Sequence, residues 1–531
     1  MTDTTTPALN PMRWRAIGII ALAVALIIMD ATVVTVVLPV LIREVGLTAA
    51  DAEWVNSIYS LVFAAILITM GRLGDIAGRR RMLLLGTIVF GVASLFAALS
   101  TTGWMLIGSR LLQGIGGAMI LPATLSTVNA LFFGRERGIA FAIWGSTIGG
   151  MAAIGPLAGG WLTTAFSWHW AFLVNVPLVL IVIVGTVLFV PETRDPNAKP
   201  TGDWLGVVLS ILGLSAIVFG LIEGQRYGWW GLEQPFVVAG WTWPFVLSPV
   251  PVMFLIGGVA LIAFILLERA RGRSGRPALV DLGLFRLRSF RYGSIAALVV
   301  AFGEFGVLFA FPLFVQGALG YSAKDTGLLI LALAIGTFLV SGFTAPISRR
   351  IGARGVVRLG LALEVIAIVG LGLSLSTTTS GWVIAAWLFV YGGGVGFATA
   401  QLTGVILSEV PPAQSGEASG LQSTVRQLGS SIGIAFLGTV LVSTLGATLT
   451  TNLAGIAGLD PAIAAKAVGL VRLSAGAEIG QLADLANGPA LIEAAKGAMV
   501  TAARATTLSA AAIIFIGLLA TLRIPAHPEK S

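Results

Sequence analysis

Runs of about 20 apolar residues recur along nearly the whole chain, parted by short polar turns. That length matches the hydrocarbon core of a bilayer, about 30 Å at 1.5 Å per helical residue. A spanning barrel would need short segments of strict alternation, and the chain shows none. The pattern predicts fourteen spans. Six lie at 16–40, 54–71, 82–100, 104–128, 138–160 and 170–190, and two at 204–222 and 248–267. Six more follow at 292–316, 326–346, 355–376, 382–408, 419–445 and 503–523.

The spans group as six, two and six. Arg79 to Arg81 follow the second span, and Arg349, Arg350 and Arg354 follow the tenth, so the two outer groups share a basic turn at one point. The expected fold is an all-α polytopic membrane protein of two related six-helix bundles with an inserted helix pair, an arrangement typical of transporters with a midplane site. Its parts are a cytoplasmic N-terminus (1–15), an N-terminal bundle (16–190), the pair with its linker (191–291), a C-terminal bundle (292–523) and a tail (524–531). Lys and Arg concentrate on the side that carries both termini, which places that side in the cytoplasm.

Composition agrees. The 531 residues are 56% hydrophobic and 11% charged, against roughly a quarter charged in soluble domains, with a mean hydropathy of +0.95. The net charge of +8 does not indicate nucleic acid, because the basic residues sit in short turns between apolar runs. Glu268 to Arg291 holds seven arginines and Pro277, and reads as a linker that also touches anionic headgroups. With no cysteine, disulfides and thiol chemistry are excluded, and His169 and His527 alone leave little for a metal site. The first apolar run is too long for a signal peptide and is expected to be retained. No GxxxxGK[ST] loop is present, so no nucleotide site or cofactor is expected. Arg in preference to Lys, with much Ala and Gly, suggests a high-GC bacterium.

Two segments on the outer side stand apart. Trp229, Trp230, Trp241 and Trp243 between 223 and 249 suit an interfacial aromatic belt better than a ligand cage. The stretch 446–502 is rich in Ala and Gly, and Asp460-Pro461 predicts a helix start within it.

Five stretches carry a family resemblance. GRLGDIAGRRRMLLLG (Gly71 to Gly86) resembles the loop between helices two and three of the major facilitator superfamily. The fourteen-span layout is similar to that family's drug:proton antiporter branch. MDATVVTVVLP (Met29 to Pro39) resembles the branch's first-helix motif, departing from it at Thr35, where Asn is common. RLLQGIGGAMILP (Arg110 to Pro122), GSTIGGMAAIGPLAGG (Gly145 to Gly160) and SGLQSTVRQLGSSIG (Ser419 to Gly433) resemble its fourth-, fifth- and thirteenth-helix motifs. The resemblance implies the major facilitator fold, and its fifth-helix motif favours export over uptake.

The ionisable residues inside spans are the candidates for chemistry. Asp30 lies about fifteen residues, or roughly 22 Å, into a span entered from the cytoplasm. Arg110 lies roughly 9 Å into a span entered from outside, so the two come to nearly equal depth. Either alone would be costly in lipid, and together they compensate. They form either a static pair or a proton site, and the resemblance favours proton coupling. Gln113, one turn along the same face, can join them. Glu304, mid-span in AFGEFGVLFAFP with no cation nearby in sequence, is a second candidate to carry a proton or meet a cationic substrate. Glu364, six residues after Arg358, is expected to snorkel or pair near the cytoplasmic end, with a lesser part in substrate binding.

Gly145, Gly149, Gly155 and Gly159, with Pro156 between the last two, make the fifth span a packing and gating element. Gly71, Asp75, Arg79 and Arg80 are expected to bias the inward-open and outward-open states, the arginines also serving as topological signals. The expected function is proton-driven export of hydrophobic, often cationic compounds by a monomer in a bacterial plasma membrane. Export of an endogenous amphiphile is the alternative within transport, and a non-transporting scaffold or receptor the alternative outside it. An embedded enzyme is disfavoured, since clustered His, Cys or paired acids are almost lacking.

Overall fold

A computed structural model describes residues 12–524 apart from 133, 195–202, 239–240, 275, 277–278 and 411–414. The predicted extremities at 1–11 and 525–531, His527 and Pro277 therefore lie outside the described residues. The first apolar run folds as α1 (Arg13–Leu41). Thr48 and Asp51 then cap one another's backbone N–H groups to start α2 (Ala49–Ala77). Gly78, at φ +120°, ends α2 and turns the chain into α3 (Arg79–Ala98). A short turn leads to α4 (Gly103–Leu131), and α5 (Gly134–Ala165) lies over the fifth predicted span.

The sixth span is broken. Its first turn is α6 (Trp170–Leu173), and α7 (Asn175–Phe189) carries it on. Pro177 has no N–H to give the Leu173 carbonyl four residues back, which accounts for the interruption. The break matters because it falls at Asn175.

The inserted pair is α8 (Trp204–Tyr227) and α9 (Pro249–Arg273). Between them two short strands, β1 (Val237–Val238) and β2 (Trp241–Thr242), pair antiparallel. Trp243 stacks edge-on against Phe236, Trp241 and Phe245, and its Nε1 donates to the Leu247 carbonyl. Trp241 and Trp243 thus partner one another. Few α9 residues are buried, and Leu255, Val259 and Ile262 stand out from the protein as a lipid-facing side chain row would.

The last block begins with α10 (Arg288–Gly317). It continues into α11 (Ala323–Ser374), which covers two predicted spans because Gly352, at φ +75°, breaks its helical course. Then come α12 (Gly381–Leu407) and α13 (Ser415–Ala454). The 446–502 stretch holds more than the helix that Asp460-Pro461 predicts. α13 runs on to Ala454, α14 (Pro461–Leu473) follows its Asp460 cap, and α15 (Gly488–Leu522) starts well before its predicted span. Val471, Leu482 and Met499 are buried among them as part of the core.

Among the described residues, thirteen helices are long and apolar enough to cross a membrane. α5 is not one of the thirteen, because several of its side chains lie outside the described residues. In lipid such helices gain little from burying apolar surface and rely on close packing at small residues. Gly155 and Gly159 of α5 seat against Thr32 and Val33 of α1, and Gly429 and Gly433 of α13 against Leu298 and Phe302 of α10.

The blocks meet at one end, remote from the basic turns. Gln316 Nε2 donates to the Val36 carbonyl, and Lys324 N to Thr164 Oγ1. Ser57 and Ser60 of α2 meet Ser431 and Ser430 of α13. On the same side Trp54 Nε1 donates to Glu223, fastening the inserted α8 to α2.

Candidate functional site

Asp30 and Arg110 are each 1% exposed and form a direct ion pair. The sequence spacing brought them to one level, and the structure adds what surrounds them. Gln113 Nε2 and Asn175 Nδ2 donate to Asp30 Oδ1 at 2.9 and 2.7 Å. Arg110 Nη1 also donates to Gln113 Oε1 at 2.7 Å, and its Nε to the Val55 carbonyl at 3.1 Å. The guanidinium lies over the Tyr59 ring, 4.5 Å from its centroid. Ser94 Oγ accepts from both Gln113 and Asn175. A charge pair in such surroundings is tolerated only when further hydrogen bonds support it, and here both carboxylate oxygens and the guanidinium Nε and Nη1 have partners.

Gln113 therefore joins the acid's network, and both ends of its amide are spent there, fully buried. It is not placed to touch a substrate in this state. Asn175, Ser94 and Tyr59 were not among the candidates. For Asn175 a signal existed: a lone amide in an apolar run, two residues before a proline.

The second site departs from expectation. Glu304 is not isolated, because Arg426, more than a hundred residues away in sequence, places Nη2 3.5 Å from Glu304 Oε2. Glu304 is 13% exposed and Arg426 41%, so the pair borders open space. Glu364 does not snorkel. It is fully buried, and neither carboxylate oxygen has a hydrogen-bond partner. Its stem packs on Gly394 of α12, which leaves no room for a Cβ there. Arg358 does not pair with it and donates instead to the Thr521 carbonyl. Glu304 and Arg426 lie close enough to act electrostatically on Glu364, and both acids on the Tyr391 hydroxyl.

At the first basic turn, Arg79 binds Asp75 at 2.8 Å and reaches the Ser126 carbonyl of α4. Gly71 packs on Pro122 of α4. Arg80 donates its backbone N–H to Glu192 and its Nη2 to the Val187 carbonyl, and Arg81 approaches Glu192 at 3.8 Å. Glu192, just past α7, was not foreseen as their acid. A Cβ on Gly78 would come within 2.6 Å of that carboxylate. Near α5's start, Arg13 pairs with Glu136, and these hydrogen bonds hold the Glu136 carboxyl below its ordinary range. Gly155, Pro156 and Gly159 sit at the contact of α5 with α1 and α11, whereas the surroundings of Gly145 and Gly149 lie outside the described residues.

Two helical blocks, one with a buried acid–arginine pair and the other with a partly exposed one, each pair formed between different helices, are the build of a membrane transporter. The family model for the Major Facilitator Superfamily matches residues 20–205 and again 201–434, and the chain belongs to that superfamily. It is 32% identical over 504 residues to the multidrug efflux pump LfrA of Mycolicibacterium smegmatis, with 94% of each chain covered. It is 32% identical over 449 residues to a probable actinorhodin transporter of Streptomyces coelicolor, covering 83% of this chain and 74% of that one. Among solved structures, a bacterial homologue of the human lysosomal transporter Spinster, inward-facing and unoccupied, aligns with a TM-score of 0.62. That match has 20% identity over 98% of this chain and 99% of the other, and speaks for the fold.

Proposed function

We propose that this chain exports hydrophobic, often cationic compounds across a bacterial plasma membrane in exchange for protons. The observation that carries the proposal is the sealed Asp30–Arg110 pair: ionisable groups this deep in a bundle are costly, and proton movement is the use that repays them. Similarity to LfrA over nearly the full chain supports the drug class.

In this reading both termini are cytoplasmic, since the basic turns 79–81 and 349–354 share their side. The end at which the blocks touch then faces outward, and the structure is the inward-open state. A compound enters from the cytoplasm or inner leaflet. Protonation of Asp30 from outside, when the bundle is outward-open, frees Arg110. Its release inside resets the pair. Asp75, Arg79 and Arg80, now with Glu192, set the balance between the two states. Glu304, bordering open space, is the acid placed to meet a cationic compound.

The Streptomyces relative supports a second reading, in which the cargo is an amphiphile that the cell itself makes. Export of ethidium from proteoliposomes under an imposed pH difference tests the exchange itself. Ethidium movement that ignores the gradient, or none at all, would overturn it.

A further inference from the structure

The C-terminal cluster has an unbalanced charge. Glu304 has its arginine, but Glu364 is buried without a donor on either oxygen, and the Tyr391 hydroxyl is buried without a partner as well. An ionised carboxylate left so would cost several kcal/mol, whereas a protonated one is a neutral polar group and costs far less. Among the described residues no other cation is shown facing it. The charged or titratable groups facing it from neighbouring helices are Glu304 on α10, Tyr391 on α12 and Arg426 on α13. Arg358 on its own helix is committed to Thr521, and Arg504 of α15 to the Leu375 carbonyl at the other end.

We propose that Glu364, Glu304 and Arg426 form a second proton site, separate from the Asp30 network, at which one substrate cation is exchanged for one proton. It rests on the proton-driven exporter reading above and gives it a mechanism for cations. With the site empty, Glu364 carries a proton, Glu304 is ionised and Arg426 balances it, so the cluster is neutral. A cationic substrate takes the exposed edge of Glu304, where Arg426 is already 41% exposed. Arg426 turns to Glu364, whose proton leaves to water. Two carboxylates now face two cations, and the cluster is neutral again. A neutral substrate makes no such demand and expels no proton here. Arg426 is thus a tethered competitor for the position that a cationic substrate takes.

The test counts protons released when ethidium binds to the purified full-length protein in weak buffer, followed with a pH dye. Glu364→Gln preserves the shape of the protonated acid and should fold. It should release about one proton fewer per bound ethidium than the wild type and bind the dye about tenfold more weakly. Glu364→Asp should restore release. Unchanged proton release in Glu364→Gln, or loss in a folded Glu364→Asp equal to that in Glu364→Gln, would overturn the proposal. Wild-type protein that fails to export ethidium under a pH difference would instead remove the exporter reading, so the two failures are told apart.

Discussion

The two halves of this transporter place an acid near the middle of their first helix, Asp30 in α1 and Glu304 in α10, and then treat it in opposite ways. Around Asp30 both carboxylate oxygens are engaged: an arginine and two amides donate to them, out of contact with solvent, and the atoms left without a partner are the neutral Asn175 Oδ1 and Tyr59 hydroxyl. Around Glu304 the arginine is half open, and the neighbouring Glu364 has no donor at all. A filled network can change charge only when the helices that supply its partners move apart. An unfilled one can change charge by taking a proton or a ligand. We read the first as the element that ties protonation to the rocking of the halves, and the second as the element that senses cargo.

The sharpest way to break this comparison is to remove each arginine. Arg110→Ala strands a buried carboxylate, and should cost about 3–5 kcal/mol, lowering yield and thermal midpoint in detergent. Adding Asp30→Asn to it should recover the fold without transport. Arg426→Ala, at a half-exposed position, should shift the midpoint little. Equal losses in the two would show that the halves are not so different.

The basic turns offer a second contrast. Gly78 and Gly352 both adopt positive φ, but a side chain at Gly78 meets the Glu192 carboxylate, whereas nothing lies within 4 Å of a Cβ at Gly352. Gly78→Ala should add a clash to backbone strain of about 1–3 kcal/mol, and Gly352→Ala the strain alone. Cross-linking of the helix ends that carry the basic turns should report a larger shift between states for the first.

Smaller effects sit at the edges of the two sites. Asn175→Ala removes one of Asp30's donors, worth about 1–3 kcal/mol, and should slow ethidium export roughly tenfold while sparing expression. Glu304→Gln should impair cationic compounds more than neutral ones in the same assay. Equal loss would mean that its carboxylate does not meet the cargo.

Much of the fold was legible because lipid forces each span to be a long apolar run, and because paired basic turns mark the repeat. The Asp30–Arg110 pair was legible too, since helical rise converts sequence position to depth. Partners supplied by unrelated helices were not. Arg426 reaches Glu304 through the crossing of α13 on α10, which no local spacing announces. Glu364 looked close to a helix end when counted from Arg358, yet the kink at Gly352 and the tight seat on Gly394 bury it. Glu192 sits in an ordinary loop sequence and gains meaning only from the turn it supports.

The most direct measurement is ethidium transport by the wild type and Asp30→Asn in sealed proteoliposomes, with and without an imposed pH difference. The account predicts that Asp30→Asn still exchanges dye across the membrane at equilibrium but can no longer concentrate it at the expense of the gradient. An Asp30→Asn protein that concentrates ethidium as well as the wild type would contradict it.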